Sequence, residues 1–323
     1  MLRNITDFIR AHAADDPFGW AQEHNPNVAM ALKAAATAQS TTDSAQALVD
    51  SGISGELVEL LRDKSVFETA LPFMRTAPFE QRIAIEESAA SAQWVGEGEL
   101  KPITAREYDA EALQPYKANI VTVVSRELWR FSRPSIEEAN RRSLARSVAQ
   151  FLDEQFLDPT VAAIAGLNPA SVTNGSTPVV STGPAAAQIQ TDLNGMLATL
   201  ASFGEPRFIM GRGTAAHIAG SSGAIFPKIN VNGGELCGIP VSTAEHLAGF
   251  IALVDLSDIL VAVDPLSIAI FSQGSIILDD GTSPSNTDLV SMWQKNLMAI
   301  RVERRVSWLR AHAGSATYMA VAY

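Results

Sequence analysis

Between Pro78 and Pro159 short apolar runs flank one long polar stretch, and this pattern predicts the chain's most telling element. Ile83–Glu87 and Ala118–Val124 read as strands, joined by QWVGEGELKPITAREYDAEALQPY. So long a connection inside a compact domain is uncommon and usually functional. The two strands and their link predict an extended arm with too little apolar surface to bury against its own domain. Something else must cover it, and the simplest candidate is a second copy of the chain. The arm leads into a helix predicted over Ser135–Leu157, with Ile136, Leu144, Val148, Phe151, Leu152 and Phe156 at three- and four-residue spacing. Arg141, Arg142, Arg146, Asp153 and Glu154 fall mainly on its other faces. Pro134 and the capping-box string Ser135-x-x-Glu138 mark its start, and Asp158-Pro159 its end. Such a helix is roughly 35 Å long.

The flanking pattern is plainer. Residues 1–53 are rich in Ala, Gln and Thr, with a weakly helical Val28–Ala38, and predict an extension ordered by partners. Ser54-Gly-Glu-Leu-Val-Glu opens a short helix with Leu57, Leu60 and Leu61 on one face, ending before Pro72. Residues 168–184 lack periodicity and predict a loop. A helix over Ala185–Ala201 follows, then a strand at Arg207–Gly211 and a helix from Thr214. Ile239–Ser242, Ala252–Asp255, Asp258–Val263 and Ser267–Phe271 are predicted strands, with Gly233-Gly234 and Asp264-Pro265 as turns. Beyond a polar stretch at 279–288, Met298, Ile300, Val302 and Val306 stand in near alternation with polar residues and predict a long half-buried strand. Tyr318–Tyr323 is a last strand.

Composition narrows the function classes. The chain of 323 residues is 47% hydrophobic and carries a net charge of −11, which fits a globular protein and argues against nucleic-acid binding as its main task. Its single cysteine, Cys237, rules out an internal disulfide, suits a reducing compartment, and reads as a small buried hydrophobe. Neither a signal peptide nor a membrane-spanning run is evident, so a soluble cytoplasmic product is expected. His12, His24, His217, His246 and His312 are isolated from one another, so no metal site and no cofactor are expected. Gly211-Arg-Gly-Thr follows a strand and opens a helix, but it lacks the rest of a phosphate-binding loop.

The order of these parts resembles the major capsid protein of tailed bacteriophages, the family named for phage Hong Kong 97. The resemblance rests on a Leu-faced helix, the arm, the long helix, a block containing LCGIPVSTAEHL and ALVDLSDILVAVDP, and a closing strand with QKNLMAIRVERR. It implies an α+β fold of Hong Kong 97 type. Its parts would be an N-terminal arm at 1–53, peripheral-domain pieces at 54–78, 118–165 and 279–323, an extended loop (E-loop) at 79–117, and an α/β axial domain at 166–278. The long helix would be the spine of the peripheral domain. Implied partners are further copies in hexamers and pentamers, a scaffolding protein, a portal and a maturation protease. The shell would enclose DNA without reading its sequence, and the protein would act as no enzyme. It would be assembled in the bacterial host cytoplasm and reside in the virion.

The resemblance also points to residues. Arg82, Glu86, Trp94, Glu97, Glu99, Arg106 and Glu107 would make inter-subunit contacts through the arm, with charges of both signs fixing register. In the founding member an arm lysine, an asparagine and an assisting glutamate form an isopeptide crosslink. Similar local strings put Lys101, Asn296 and Glu303 at those positions. The seven-residue spacing of Asn296 and Glu303 would put them on opposite faces of a regular strand. Two rivals are an encapsulin-like nanocompartment with the same fold and an α/β enzyme using residues 166–184 as a lid.

Overall fold

The apolar stripe predicted over Ser135–Leu157 becomes the longest helix among the described residues, Pro134–Leu157. The computed structural model describes residues 7, 10–11, 14, 16–29, 32, 61, 65–86, 94–95, 108–127, 134–221, 225–247, 249–278 and 288–323. They divide into two units, each built from three stretches of chain: 1–69, 117–153 and 264–305 in the first, and 70–116, 154–263 and 306–323 in the second.

In the first unit α1 is Pro17–His24, started by Asp16, whose side chain accepts from the Gly19 N–H, and by Pro17 in the first turn. Asp-Pro at a helix start is a readable signal, yet the composition of residues 1–53 outweighed it. Helix α2 is the five-residue Val66–Ala70, and Leu61 ahead of it is buried. Leu57 and Leu60 lie outside the described residues. Strand β4 (Tyr116–Ser125) enters this unit and leads to α3 (Pro134–Leu157). Because α3 already starts at Pro134, Ser135 is inside its first turn and not the capping residue.

Two positions on α3 depart from the predicted stripe. Phe151 is exposed. Asp153, expected outward, is fully buried and accepts from Ser65 Oγ (2.7 Å), Val66 N (3.0 Å) and Phe67 N (2.9 Å). A carboxylate there satisfies the unpaired N–H groups at the start of α2, which is why burying it is tolerated. Strands follow in the described residues of 264–305. β12 (Ser267–Phe271) pairs antiparallel with Ala299–Glu303 of β15 (Leu297–Arg310), and β4 also pairs with β15. The β13–β14 hairpin (Ser275–Leu278 and Asp288–Ser291) flanks the polar stretch at 279–288 and was not predicted. Glu68 and Arg304, both buried, form an ion pair, and Arg304 Nε also donates to the Asp264 carbonyl at 3.2 Å.

The second unit holds a seven-stranded sheet in the order β5-β16-β10-β6-β9-β8-β7. These strands are Pro178–Val180, Ala316–Ala320, Phe250–Asp255, Pro206–Gly211, Ile239–Ala244, Gly233–Leu236 and Ile229–Asn230. Helices α4 (Ala186–Thr199) and α5 (Arg212–Ser221) contribute to its core. Ile189, Leu193 and Met196 of α4 and Ile218 of α5 pack with Phe208, Met210, Ile251, Leu253 and Met319. Truncating any of the large ones would cost about 2–5 kcal/mol. β10 is apolar almost throughout, the mark of a strand covered on both faces.

Three readings change here. The loop at 168–184 contributes β5, paired parallel with β16. Gly233 and Gly234 are not a turn but lie in β8, at φ 112 and 134. A Cβ on either would sit 2.5 Å or less from the Val241 or Lys228 carbonyl oxygen, so only glycine fits. Cys237 is exposed in the tight β8–β9 turn, where it and Gly238 take φ 52 and 82. Two consecutive positive φ values are what a two-residue hairpin turn needs, and that requirement lifts the thiol out of the core.

Asp255 ends β10 and organises the next connection. It is fully buried and accepts from Ser202 Oγ, Gly204 N (2.9 Å), Glu205 N (2.9 Å), Ser257 N (3.1 Å) and Ser257 Oγ (2.7 Å). Burial pushes its carboxyl up, and the hydrogen bonds from Ser202, Glu205, Ser257 and Gly204 pull it further down, to about 2. Since this lies below the ordinary 3.8, the ionised group stabilises the fold above about pH 4, and that contribution is lost as pH falls through 3.8 towards 2. Asp255→Asn is expected to lower the unfolding free energy at neutral pH by roughly 2 kcal/mol. Urea denaturation checks this, and the gap to the unsubstituted protein should close on acidification.

Candidate assembly interface

The two ends of the stretch expected to form the arm pair as a two-stranded ribbon in the second unit. Strand β2 (Arg82–Glu86) pairs antiparallel with β3 (Tyr108–Ala112), with Arg82 opposite Ala112 and Glu86 opposite Tyr108. The chain therefore returns one strand earlier than the expected Ala118–Val124, whose residues belong to β4 and pair with β15. Leu113, Gln114 and Pro115 separate the two strands, and proline lacks the N–H that a continuous ladder would need. Alternation seats the ribbon: Ile83 and Ile85 point inward while Arg82, Ala84 and Glu86 are exposed. Ile85 packs with Leu113, Leu260 and Ala262, flanked by Phe79, Ile83 and Leu309. Leu260 and Ala262 belong to β11 (Ile259–Val263), which pairs with the Val306–Arg310 half of β15 and with β1 (Arg75–Thr76).

The long strand also orders the loop after α3. Trp308 Nε1 donates to the Ala170 carbonyl at 2.8 Å, and its ring meets Phe156 edge-on at 5.3 Å. Arg310 donates to the carbonyls of Val172 (2.8 Å) and Asn174 (3.3 Å) and to Ser176 Oγ. A cavity of about 330 Å³ in this unit is lined by Glu111, Tyr116, Asn174, Trp308 and Arg310 among others, and its cation is occupied by those carbonyls.

Of the residues expected to face a neighbour, Arg82 and Glu86 are exposed on the ribbon and Trp94 is fully exposed. Glu97, Glu99, Lys101, Arg106 and Glu107 lie outside the described residues. Asn296 is exposed in the turn before β15 at φ 50, a conformation asparagine tolerates. Its N–H donates to the Trp293 carbonyl, and its own carbonyl accepts from Arg126 N at 2.9 Å. Because Asn296 precedes the strand, the alternation of strand faces does not relate it to Glu303. Glu303 sits within β15 opposite Ser267, 3.6 Å from Arg301 Nε.

The sequence reading missed an apolar face in the first unit. On the β13–β14 hairpin Ile276 lies opposite the buried Val290, while Ile277 lies opposite Leu289 on the other side. Ile277 and Leu289 are 64% and 72% exposed, and Trp293 just beyond is 76% exposed. A ribbon apolar on both faces is built to be covered twice, and the run Ile276-Ile277-Leu278 was the available signal. Among the described residues no group of three metal-ligating side chains converges, and no helix is long and apolar enough to cross a membrane.

This arrangement of two-stranded ribbon, long helix, α/β sheet and long β15 strand has relatives. The model of the Phage capsid family matches residues 45–307, and the chain belongs to that family. It is 30% identical over 315 residues to the capsid polyprotein of Pseudomonas phage PAJU2, covering 90% of this chain and 47% of that protein. The chain thus spans about half the length of that relative. A solved chain from Gordonia phage Cozz superposes with a TM-score of 0.59 at 15% identity, over 79% of this chain and 86% of the other. A chain of the capsid of an empty GTA particle gives 0.51 at 15% identity, over 78% and 89%. The fold is the α+β fold of Hong Kong 97-like capsids.

The exposed hairpin face yields a direct check. Because Ile277 and Leu289 point away from the core, replacing both with threonine is expected to change the unfolding free energy of the unassembled chain by less than about 0.5 kcal/mol. A loss above roughly 2 kcal/mol in urea denaturation would mean the face is buried within the chain itself.

Proposed function

We propose that this chain is the major capsid protein of a tailed, double-stranded DNA bacteriophage and self-assembles into its icosahedral shell. The observation that carries this reading is the family match over residues 45–307, supported by the apolar seat that Leu113, Leu260 and Ala262 give Ile85 on the β2–β3 ribbon. The hairpin face supports it too, since a subunit surrounded by copies of itself has partners for a ribbon apolar on both sides. The net charge of −11 suits a wall that encloses DNA without holding it, because tight phosphate binding needs clustered Lys and Arg. Hexamers and pentamers of the chain, a scaffolding protein, a portal and a maturation protease are the partners this role calls for. Assembly would take place in the host cytoplasm.

Electron microscopy of the expressed full chain tests the reading. Closed shells or capsomer-sized rings are expected. A monodisperse monomer at every concentration and salt condition tried would overturn it.

Within that shell we propose an isopeptide bond between Lys101 of one subunit and Asn296 of another, with Glu303 as base. The neutral lysine amine attacks the side-chain amide carbon, the new C–N bond replaces the old one, and ammonia leaves with the transferred proton. Asn296 is exposed, as attack requires, whereas Glu303 must exchange its contact with Arg301 for this task. Particles boiled in SDS are expected to run as a ladder of covalent multimers that Lys101→Ala removes. A single monomer band from mature particles would sink the crosslink and leave the shell reading intact.

A further inference from the structure

The side chain of His312, just beyond β15, has two acceptors and, among the described residues, no donor against its ring. Nδ1 lies 2.7 Å from Asp258 Oδ1, and Nε2 lies 3.1 Å from the main-chain carbonyl oxygen of Glu86. A carbonyl oxygen only accepts, and an ionised carboxylate only accepts. Both ring nitrogens must therefore carry a proton, a condition met by the imidazolium and by neither neutral tautomer. Asp258 is anchored for this purpose: its Oδ2 takes the His312 main-chain N–H at 3.1 Å, and its own carbonyl takes the Ala311 N–H at 3.0 Å.

The place of this bridge gives it meaning. Glu86 is the last residue of β2, at the end of the ribbon that leads into the stretch expected to form the arm. Asp258 belongs to the 3-10 turn Leu256–Asp258 between β10 and β11. We propose that His312 is a protonation-operated latch that ties the root of the arm to the Asp258 turn and releases it when the imidazole becomes neutral. On deprotonation one nitrogen turns its lone pair towards an acceptor. Asp258 is the stronger partner and keeps the remaining N–H, so the contact that fails is the one to Glu86.

The ionisable groups facing the ring set the direction. The Glu86 carbonyl and the Asp258 carboxylate hold the proton on and raise His312 above its ordinary value, while the Arg75 guanidinium of β1 opposes them. Glu86 contributes its main-chain oxygen. A group whose folded value is raised stabilises the closed state fully below its ordinary 6.5 and loses that contribution as pH rises past the raised value. With His312 half-exposed, the latch is a local device, and its readout is local opening of the ribbon.

Hydrogen–deuterium exchange of the full chain over residues 82–86 and 108–112, expressed as protection relative to the intrinsic rate at each pH, tests this directly. Between about pH 6 and about pH 8.5 protection of these strands is expected to fall at least about tenfold, with the neighbouring β10 unchanged. In His312→Gln protection should be independent of pH and no higher than that of the unsubstituted chain at high pH. In Asp258→Asn the midpoint should move to lower pH, because the partner charge is gone. Protection that does not vary with pH in the unsubstituted chain, or the same pH dependence in His312→Gln, would overturn the latch. The test reads the chain itself, so its outcome is independent of what the chain assembles into.

Discussion

Buried carboxylates organise the turns of this acidic chain, and each is tolerated because a set of backbone N–H groups needs it. Asp255 gathers five donors from Ser202, Gly204, Glu205 and Ser257, and so fixes the connection from β10 into the 3-10 turn. Asp153 does the same for the start of α2, with Ser65, Val66 and Phe67 as donors. Asp192 takes the main-chain and hydroxyl groups of Thr182 and the hydroxyl of Ser181. A buried ion without such partners would cost several kcal/mol, so each aspartate permits essentially one local geometry. Glu68 extends the same logic to a side-chain partner, the equally buried Arg304 of β15.

On that frame the long strand β15 serves different stretches of chain along its length. Its first half pairs with β12 in the first unit, and its second half pairs with β11 in the second. Trp308 and Arg310 order the loop after α3. Strand β11 in turn supplies Leu260 and Ala262, the floor on which Ile85 of the arm's root rests. Ile85 on that ribbon is thus buried, while Trp94 is fully exposed.

Much of this was legible in advance, and the failures have physical causes. The three- and four-residue repeat of α3, the apolar face of α4 and the alternation of β15 are strong local periodicities, and each produced its element nearly to the residue. The arm's return was misread because β3 (YDAEA) is short and acidic, whereas β4 beyond it is longer and richer in β-branched residues. Only its pairing with Arg82–Glu86 makes β3 a strand. Phe151 and Asp153 exchanged their expected environments because a helical wheel knows hydrophobicity but not the unpaired N–H groups that a neighbour will present. By residue type Cys237 reads as a core residue, yet the demands of a two-residue turn expose it.

By itself the sequence determined the class of the molecule. The order of arm, long helix, α/β block and closing strand is a one-dimensional property, and so are its net charge and the scarcity of histidine and cysteine chemistry. Tertiary structure decided where charge could be buried, which strand closes the arm, and what faces His312. Those outcomes depend on contacts between residues far apart in the chain, such as Glu68 with Arg304 and Glu86 with His312. No local pattern encodes such pairs, because a hydrogen bond is set by distance in space and a sequence records distance along the chain.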